Sequence, residues 1–309
     1  MPIRPTAPRA LKLAATIFTG AAVGAGVLQA APGAAGAQGS DDLAPANQTS
    51  QHGSGQTSTK APPPEPGDPF SFRIGTLNVL GSQHARGGTK RASALARAIR
   101  DRGVDLVGMQ EVQDDQLAVL KDRRPGYRIW PGQSLGNQGV RLQIAWRKSM
   151  FSLVDTGSIT TTFDHQQRPI PWVRLENRAS GGQFYAIDVH NSPRDQERAR
   201  DSATAEQIAL INKLRDSGKP VFILGDTNEH REFVCRVAAK TGMVASNGAS
   251  HARRCNTGTG PIKVDWVMGT GGRVDFSRHR VDYGDPIRYA TDHAFVHARV
   301  QVAPKKRRG

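Results

Sequence analysis

Five short polar motifs punctuate this chain, each where an apolar run stops or starts. They are Leu77-Asn78-Val79, Gln110-Glu111-Val112, Val189-His190-Asn191, Gly225-Asp226-Thr227-Asn228 and Thr291-Asp292-His293. Such places are where a buried strand meets a loop. Together the motifs hold three carboxylates, four carboxamides and two imidazoles. Those groups can hold a divalent cation and cut a phosphoester. One motif alone is as readily a turn; the ordered set carries the information.

The elements between the motifs read as an α/β chain. Phe70–Val79 alternates and is rich in branched residues, as a strand is. Lys90–Asp101 places Ala92, Leu95, Ala96 and Ile99 on one helical face, and Gly103 ends it. Val104–Met109 is a short strand and Asp114–Lys121 a short helix. Strands follow at 127–130, 140–147, 150–157, 170–177 and 183–190, with 131–139 and 158–169 as loops. Arg194–Asp216 is the longest helix, and Pro220–Leu224 is a continuous apolar run typical of a strand covered on both faces. Glu229–Lys240 is helical, 244–261 is a Gly-rich loop, and strands at 262–268, 272–283 and 294–302 close the domain. Many strands with few helices predict two packed sheets flanked by helices.

The ends read differently. Residues 1–37 carry Arg4, Arg9 and Lys12, then the uncharged Leu13–Ala31, then Ala35-Gly36-Ala37, which is the pattern of a secretory signal peptide. An uncleaved membrane anchor is the alternative. Residues 38–69 are poor in large apolar side chains and read as a disordered linker. The domain spans 70–302 and a basic tail spans 303–309. Cys235 and Cys255 are the only cysteines. An isolated pair in an exported chain predicts a disulfide, stabilising by ~3 kcal/mol in the chain-entropy model; two buried thiols are the alternative. The 42 Lys and Arg outnumber 27 Asp and Glu, for a net charge of +15. That excess attracts polyanions such as nucleic acid, anionic lipid or acidic polymers.

Glu111 follows an apolar strand, where its carboxylate is placed to meet a hard cation. Asn78 interrupts another strand, and a buried amide needs partners. Asp226 and Asn228 project the same way if strand geometry continues past the apolar run. His190 and His293 stand at strand ends as a candidate acid and base. Asp265, between Val264 and Trp266, is placed to hold the imidazole of His293 in one tautomer.

With these residues in view, the chain resembles the endonuclease/exonuclease/phosphatase superfamily, which includes pancreatic-type deoxyribonucleases, AP endonucleases, neutral sphingomyelinases and inositol polyphosphate phosphatases. The resemblance rests on Thr76-Leu77-Asn78, Gln110-Glu111, His190, Gly225-Asp226-Thr227-Asn228, Val264-Asp265-Trp266-Val267 and Thr291-Asp292-His293. It implies a four-layer α/β/β/α sandwich of two mixed sheets, with the site at one end. By the same resemblance Asn78, Glu111 and Asp292 hold Mg²⁺ or Mn²⁺. Asp226 and Asn228 orient water and phosphoryl group, His293 held by Asp265 is base or phosphoryl stabiliser, and His190 is acid or phosphate donor. Asn191 stands where Leu is frequent in the family, and Thr227 where an apolar residue is. The family's tyrosine has no clear counterpart; Arg141, Arg147 and Arg168 are candidates for its edge, and Asn191 and Arg168 are the expected substrate contacts.

The expected activity is that of a secreted, metal-dependent phosphodiesterase, an endonuclease cutting DNA with little sequence preference. A phosphomonoesterase, sphingomyelinase or phosphoinositide phosphatase of the same fold is the alternative, and a non-catalytic polyanion-binding module a third. A lipid-cleaving enzyme should show an exposed aromatic loop, and loops 131–139, 158–169 and 244–261 offer only Phe163. A monomer with a nucleic acid substrate and no stable membrane association after signal cleavage is expected.

Overall fold

The computed structural model describes residues 69–136, 142–261 and 263–303. The expected signal peptide, the expected linker up to residue 68, Arg141 and the tail beyond Ala303 lie outside the described residues.

The chain opens with β1 (Phe70–Asn78), α1 (Gly88–Asp101), β2 (Leu106–Gln110), α2 (Asp114–Arg123), β3 (Tyr127–Trp130) and β4 (Gln143–Arg147). It continues through β5 (Phe151–Phe163), β6 (Gln166–Asn177), β7 (Gln183–His190), α3 (Glu197–Arg215), β8 (Val221–Asp226) and α4 (Arg231–Thr241). It closes with β9 (Met243–Ala245), the small ribbon β10 (Ser250–His251) and β11 (Cys255–Asn256), β12 (Asp265–Thr270), β13 (Val274–Asp282), α5 (Ile287–Ala290) and β14 (Phe295–Val302).

Two six-stranded sheets form, in the orders β13-β14-β1-β2-β4-β3 and β5-β6-β7-β8-β12-β9. Each has one parallel pair at its centre, β1 with β2 and β7 with β8, bridged by α1 and α3. The sheets are therefore mixed, as expected. Three apolar clusters separate the layers. Leu77, Val107 and Met109 face Leu95 and Ile99 of α1 and Leu117 of α2. Tyr185, Ile187 and Ile223 face Leu210 of α3 and Val237 of α4. Between the sheets lie Phe72, Ile74, Phe151, Phe184, Phe222 and Val267. Phe72 stacks on Phe184 with centroids 5.1 Å apart, and Phe151 meets Phe72 edge-on at 5.1 Å. The arrangement is helices, sheet, sheet, helices.

Period-2 alternation decides what lies beyond that aromatic layer. Residues 72, 74, 76 and 78 of β1 share a face, as do 184, 186, 188 and 190 of β7 and 222, 224 and 226 of β8. The face that buries phenylalanine inside carries Asn78, His190 and Asp226 at its end. Register aligns Asn78 with Gln110, His190 with Asp226, and Asp265 with Asp226.

Several expectations need correcting. The loop expected at 158–169 is the outer half of the β5–β6 hairpin, paired from Phe163↔Gln166 inward. Pro169 and Pro171 argue against a strand there, but β7 pairs with β6 only from Trp172 onward. The prolines sit where the strand has one neighbour, so their missing N–H groups cost no ladder bond. The loop 244–261 contains the β10–β11 ribbon, and α5 is a short helix within what reads as a connection. The expected disulfide is present: Cys235 of α4 bonds Cys255 of β11, with Cα atoms 5.4 Å apart. Among the described residues no helix is long and apolar enough to cross a membrane.

At Gly108 the two sheets approach closely. A Cβ there would lie 2.5 Å from Asp188 Oδ1 and 3.0 Å from Leu224 Cβ. Gly108→Ala should lower stability by about 1–3 kcal/mol, whereas Gly126→Ala, with open space around it, should be near neutral. The shift of the urea midpoint at constant m value checks both.

Candidate active site

Asn78 stands where the two sheets meet. Its Nδ2 donates to Glu111 Oε1 and to Asp226 Oδ2, both at 3.1 Å. Its Oδ1 accepts from Leu80 N at 3.0 Å. The amide thus offers nitrogen to two carboxylates, and its oxygen is engaged by the backbone. Asn78 thus ties Glu111 to Asp226, and its expected part as a metal ligand stays a proposal.

Glu111 sits just past β2 with φ of 62°, a left-handed conformation uncommon for a non-glycine residue. Its Oε2 accepts from Gly81 N at 3.0 Å, and His84 Nε2 lies 3.6 Å away. Burial pushes the carboxyl up, but the Gly81 N–H, the Asn78 amide and the nearby His190 and His84 outweigh it, and its pKa lies below the ordinary value.

Asp226 ends β8, buried between the imidazoles. His190 Nε2 is 3.4 Å and His293 Nε2 3.5 Å from its Oδ2. Its Oδ1 accepts from Asn228 N at 3.0 Å. Burial opposes ionisation, but both imidazoles and Asn78 bring the pKa down to about 2. Gly225 is needed beside it: a Cβ there would lie 2.1 Å from Val189 O on β7. The close approach is to the neighbouring strand.

His293 donates through Nδ1 to Asp265, whose oxygens are 3.0 and 3.1 Å away. That fixes the tautomer and turns Nε2 toward Asp226. Burial alone would lower the imidazole pKa; Asp265, Asp226 and Asp292 raise it to about 9. Burial also pushes Asp265 up, its contact with His293 offsetting only part of that.

A cavity of about 690 Å³ opens over these groups, lined by His84, Glu111, Phe163, Arg168, His190, Arg194, Asp226, Asn228, Asp292 and His293. Phe163, at the hairpin tip, packs against His190 with ring centroids 4.7 Å apart. The Arg168 guanidinium lies 4.7 Å over the other ring, Phe163. Arg168 is therefore among the side chains at the cavity. Asn191 is not. It is fully buried, its Oδ1 accepts from Gln207 of α3 at 2.7 Å, and its backbone oxygen receives Asn228 Nδ2 at 2.8 Å. Asn191 holds Asn228 and the helix, and the substrate-contact expectation is corrected. Arg147 pairs with Asp105 at 2.7 Å, near the start of β2 and away from the motif ends.

Three features escape the sequence reading. Arg91 of α1 is buried and donates to the backbone oxygens of Val79, Gly81, Ala85 and Ala290 at 2.9–3.2 Å. It ties the loop after Asn78 to the segment before Asp292. Its signal was a charged residue four positions before Leu95 of the buried stripe. Thr291 Oγ1 donates to Asn78 O at 2.7 Å. Beneath the site Gln110 Nε2 donates to Asp188 Oδ1 at 2.6 Å and Thr76 Oγ1 at 3.0 Å. Burial pushes Asp188 well above the usual carboxylate range.

Two donor groups could meet a cation. Asp226, Asp265 and His293 have ligand atoms within 4.8 Å of one another, but Asp265 and His293 already satisfy each other. Glu111 and Asp292 face the cavity with carboxylate oxygens, the donors a hard divalent ion prefers. That chemistry fits such an ion.

Fold and site together define a hydrolase of phosphoric esters. Residues 75–307 match the profile of the Endonuclease/Exonuclease/phosphatase family, and the chain belongs to it. No curated protein matches the sequence. Among solved structures, a family protein from Bacteroides thetaiotaomicron is similar at 18% identity and TM-score 0.61, over 77% of this chain and all of its own. The human Nocturnin catalytic domain with bound sulfate matches at 17% identity and TM-score 0.59, over 76% of this chain and 96% of its own. D. rerio TDP2 with a single-strand DNA product matches at 18% and 0.58, over 74% of this chain and 98% of its own.

An imidazole that titrates near 6.5 unfolded and near 9 folded binds its proton more tightly in the native state. Its contribution is complete below pH 6.5 and is lost as pH rises through 9. Metal-free protein should therefore lose Tm between pH 7 and pH 9.5. Asp265→Asn should shrink that loss, as differential scanning fluorimetry in EDTA would show. An equal loss in both proteins would contradict the assignment.

Proposed function

We propose that the protein is an exported phosphodiesterase that hydrolyses nucleic acid with Mg²⁺ or Mn²⁺. The observation that carries the reading is the Asp226 carboxylate, held between two imidazoles and joined through Asn78 to Glu111. Glu111 and Asp292 would hold the cation, which when bound neutralises phosphoryl charge and lowers the pKa of a water. Asp226, ionised at neutral pH, accepts a hydrogen bond from the attacking water and orients it. As the water oxygen bonds to phosphorus and the P–O bond to the leaving oxygen breaks, the proton released by the water passes over Asp226 to the leaving oxygen, a relay that its low pKa suits better than storing the proton. His293, protonated at neutral pH, donates from Nε2 to a phosphoryl oxygen, with Asp265 behind it. His190 is a second donor across Asp226, and Asn228 completes that edge.

Nucleic acid is favoured by charge. Arg168 and Arg194 line the cavity, and without the three bases of residues 1–37 the chain keeps 39 Lys and Arg against 27 Asp and Glu, a net +12 that raises the local concentration of a polyanion. The fold shared with TDP2, solved with a DNA product, agrees with this. A mannosyl-6-phosphatase from Bacteroides thetaiotaomicron also shares the fold, at 18% identity and TM-score 0.56. Phosphomonoesters are therefore the reading to test against. Export is supported by the signal-like residues 1–37 and fits the Cys235–Cys255 disulfide.

The test offers plasmid DNA, single-stranded RNA, sphingomyelin vesicles and sugar or inositol phosphates to the purified protein in Mg²⁺, Mn²⁺ or EDTA. Metal-dependent strand scission is expected, with Glu111→Ala and His293→Ala each slower by about a hundred- to a thousandfold in protein that stays folded at the assay temperature. Intact nucleic acid with release of inorganic phosphate or phosphocholine would move the substrate to a monoester or a lipid. Full activity in EDTA would remove the metal from the mechanism.

A further inference from the structure

Three large apolar side chains stand exposed among the described residues, and two of them share one loop: Tyr283 and Tyr289, the latter 70% exposed. The loop joins β13 to β14 and leads directly into Thr291, Asp292 and His293. Tyr289 is three residues from Asp292. Asp282, just before Tyr283, pairs in register with Phe295, two residues past His293.

Each ring has a cation against it. Lys263 Nζ lies 5.6 Å over the Tyr283 ring, and Lys263 is two residues from Asp265, which holds His293. The Arg288 guanidinium lies 4.4 Å over Tyr289. The loop itself is pinned. Arg102 donates to Asp282 Oδ2 at 2.8 Å and to Asp285 O at 3.0 Å. Gly284 N donates to Asp282 Oδ1 at 2.7 Å, Arg288 pairs with Asp285 at 2.6 Å, and Ile287 is fully buried as an anchor. Two exposed rings on a fixed loop form a preorganised surface, with little side-chain entropy to lose on contact.

We infer that Tyr283 and Tyr289 form a stacking platform for unpaired nucleobases flanking the scissile phosphate, so that single-stranded nucleic acid is the preferred substrate. The inference rests on the phosphodiesterase reading of the same site. Aromatic rings beside cations match a strand of π faces and phosphates. A paired base in a duplex is stacked on both faces; only an unpaired, terminal or extruded base is free to meet an exposed ring. A bilayer fits the loop less well. Its one aliphatic side chain of size, Ile287, points inward, and what faces solvent is phenol, guanidinium and the Asp285 carboxylate.

The test compares the full-length protein with the Tyr283→Ala/Tyr289→Ala variant on two labelled strands of equal length. One is a single-stranded oligonucleotide and the other carries the same phosphates on abasic tetrahydrofuran sugars. KM for the base-containing strand should rise about tenfold or more, with KM for the baseless strand unchanged and Tyr→Phe at both positions restoring the wild-type value. Equal rises on both strands would assign the loop to the backbone or to folding, and no rise on either would leave it without a role; both outcomes overturn the platform. Cosedimentation with phosphatidylserine vesicles that is lost in the variant, at unmoved KM, would assign the tyrosines to a lipid and overturn it too. If the wild-type protein cleaves neither strand, the phosphodiesterase reading falls on its own. Fluorescence anisotropy of the base-containing strand then decides the platform: binding lost in the variant supports it, and equal binding overturns it.

Discussion

The hydrogen bonds from Asn78 Nδ2 to Glu111 and Asp226 are what the site depends on. The bond to Asp226 joins the two sheets at the end where both parallel pairs terminate, and the bond to Glu111 ties in the segment that follows β2. Each carboxylate is desolvated, and a desolvated charge is costly unless donors surround it. The Gly81 and Asn228 N–H groups, the amide of Asn78 and two imidazoles supply those donors. Alternation along β1, β7 and β8 puts all three strand ends on the inner face, above the phenylalanines. A one-residue slip in any of them would turn its site residue toward the helices.

Beneath the charged groups lies a layer of buried polar side chains. Thr76, Gln110 and Asp188 are buried between the sheets, and burial pushes Asp188 well above the usual carboxylate range, the Gln110 amide and backbone N–H groups offsetting only part of it. The inner face therefore passes from apolar side chains through these polar ones to the carboxylates and imidazoles at the cavity. Gly108 permits this by leaving room for the Asp188 side chain.

Much of this was legible in sequence because strand ends are local signals. An apolar run followed by Gly-Asp-Thr-Asn places Asp226 at a buried strand's end without further knowledge. Asp265 between apolar neighbours placed its carboxylate opposite theirs, where His293 meets it. What was not legible depends on partners distant in the chain. The outer β5–β6 hairpin hides behind two prolines whose cost vanishes only because β7 stops short of them. Asn191 looks like a site residue by position, and is drawn inward by Gln207 on a helix that sequence reading places but cannot orient. Arg91 sits in a helix whose pattern is read for its apolar stripe, while its purpose is set by carbonyls of a loop and of α5. The exposure of Tyr289 is likewise a property of how α5 packs.

The β5–β6 hairpin has a consequence for how such an enzyme changes over generations. Its outer half pairs with no third strand, yet it delivers Phe163 to His190 and Arg168 to the cavity. Residues added, lost or exchanged at Asp164 and His165 would alter the wall of the cavity without disturbing the three apolar clusters. Preference can drift there while the hydrolytic groups, bound into two sheets at once, stay where they are.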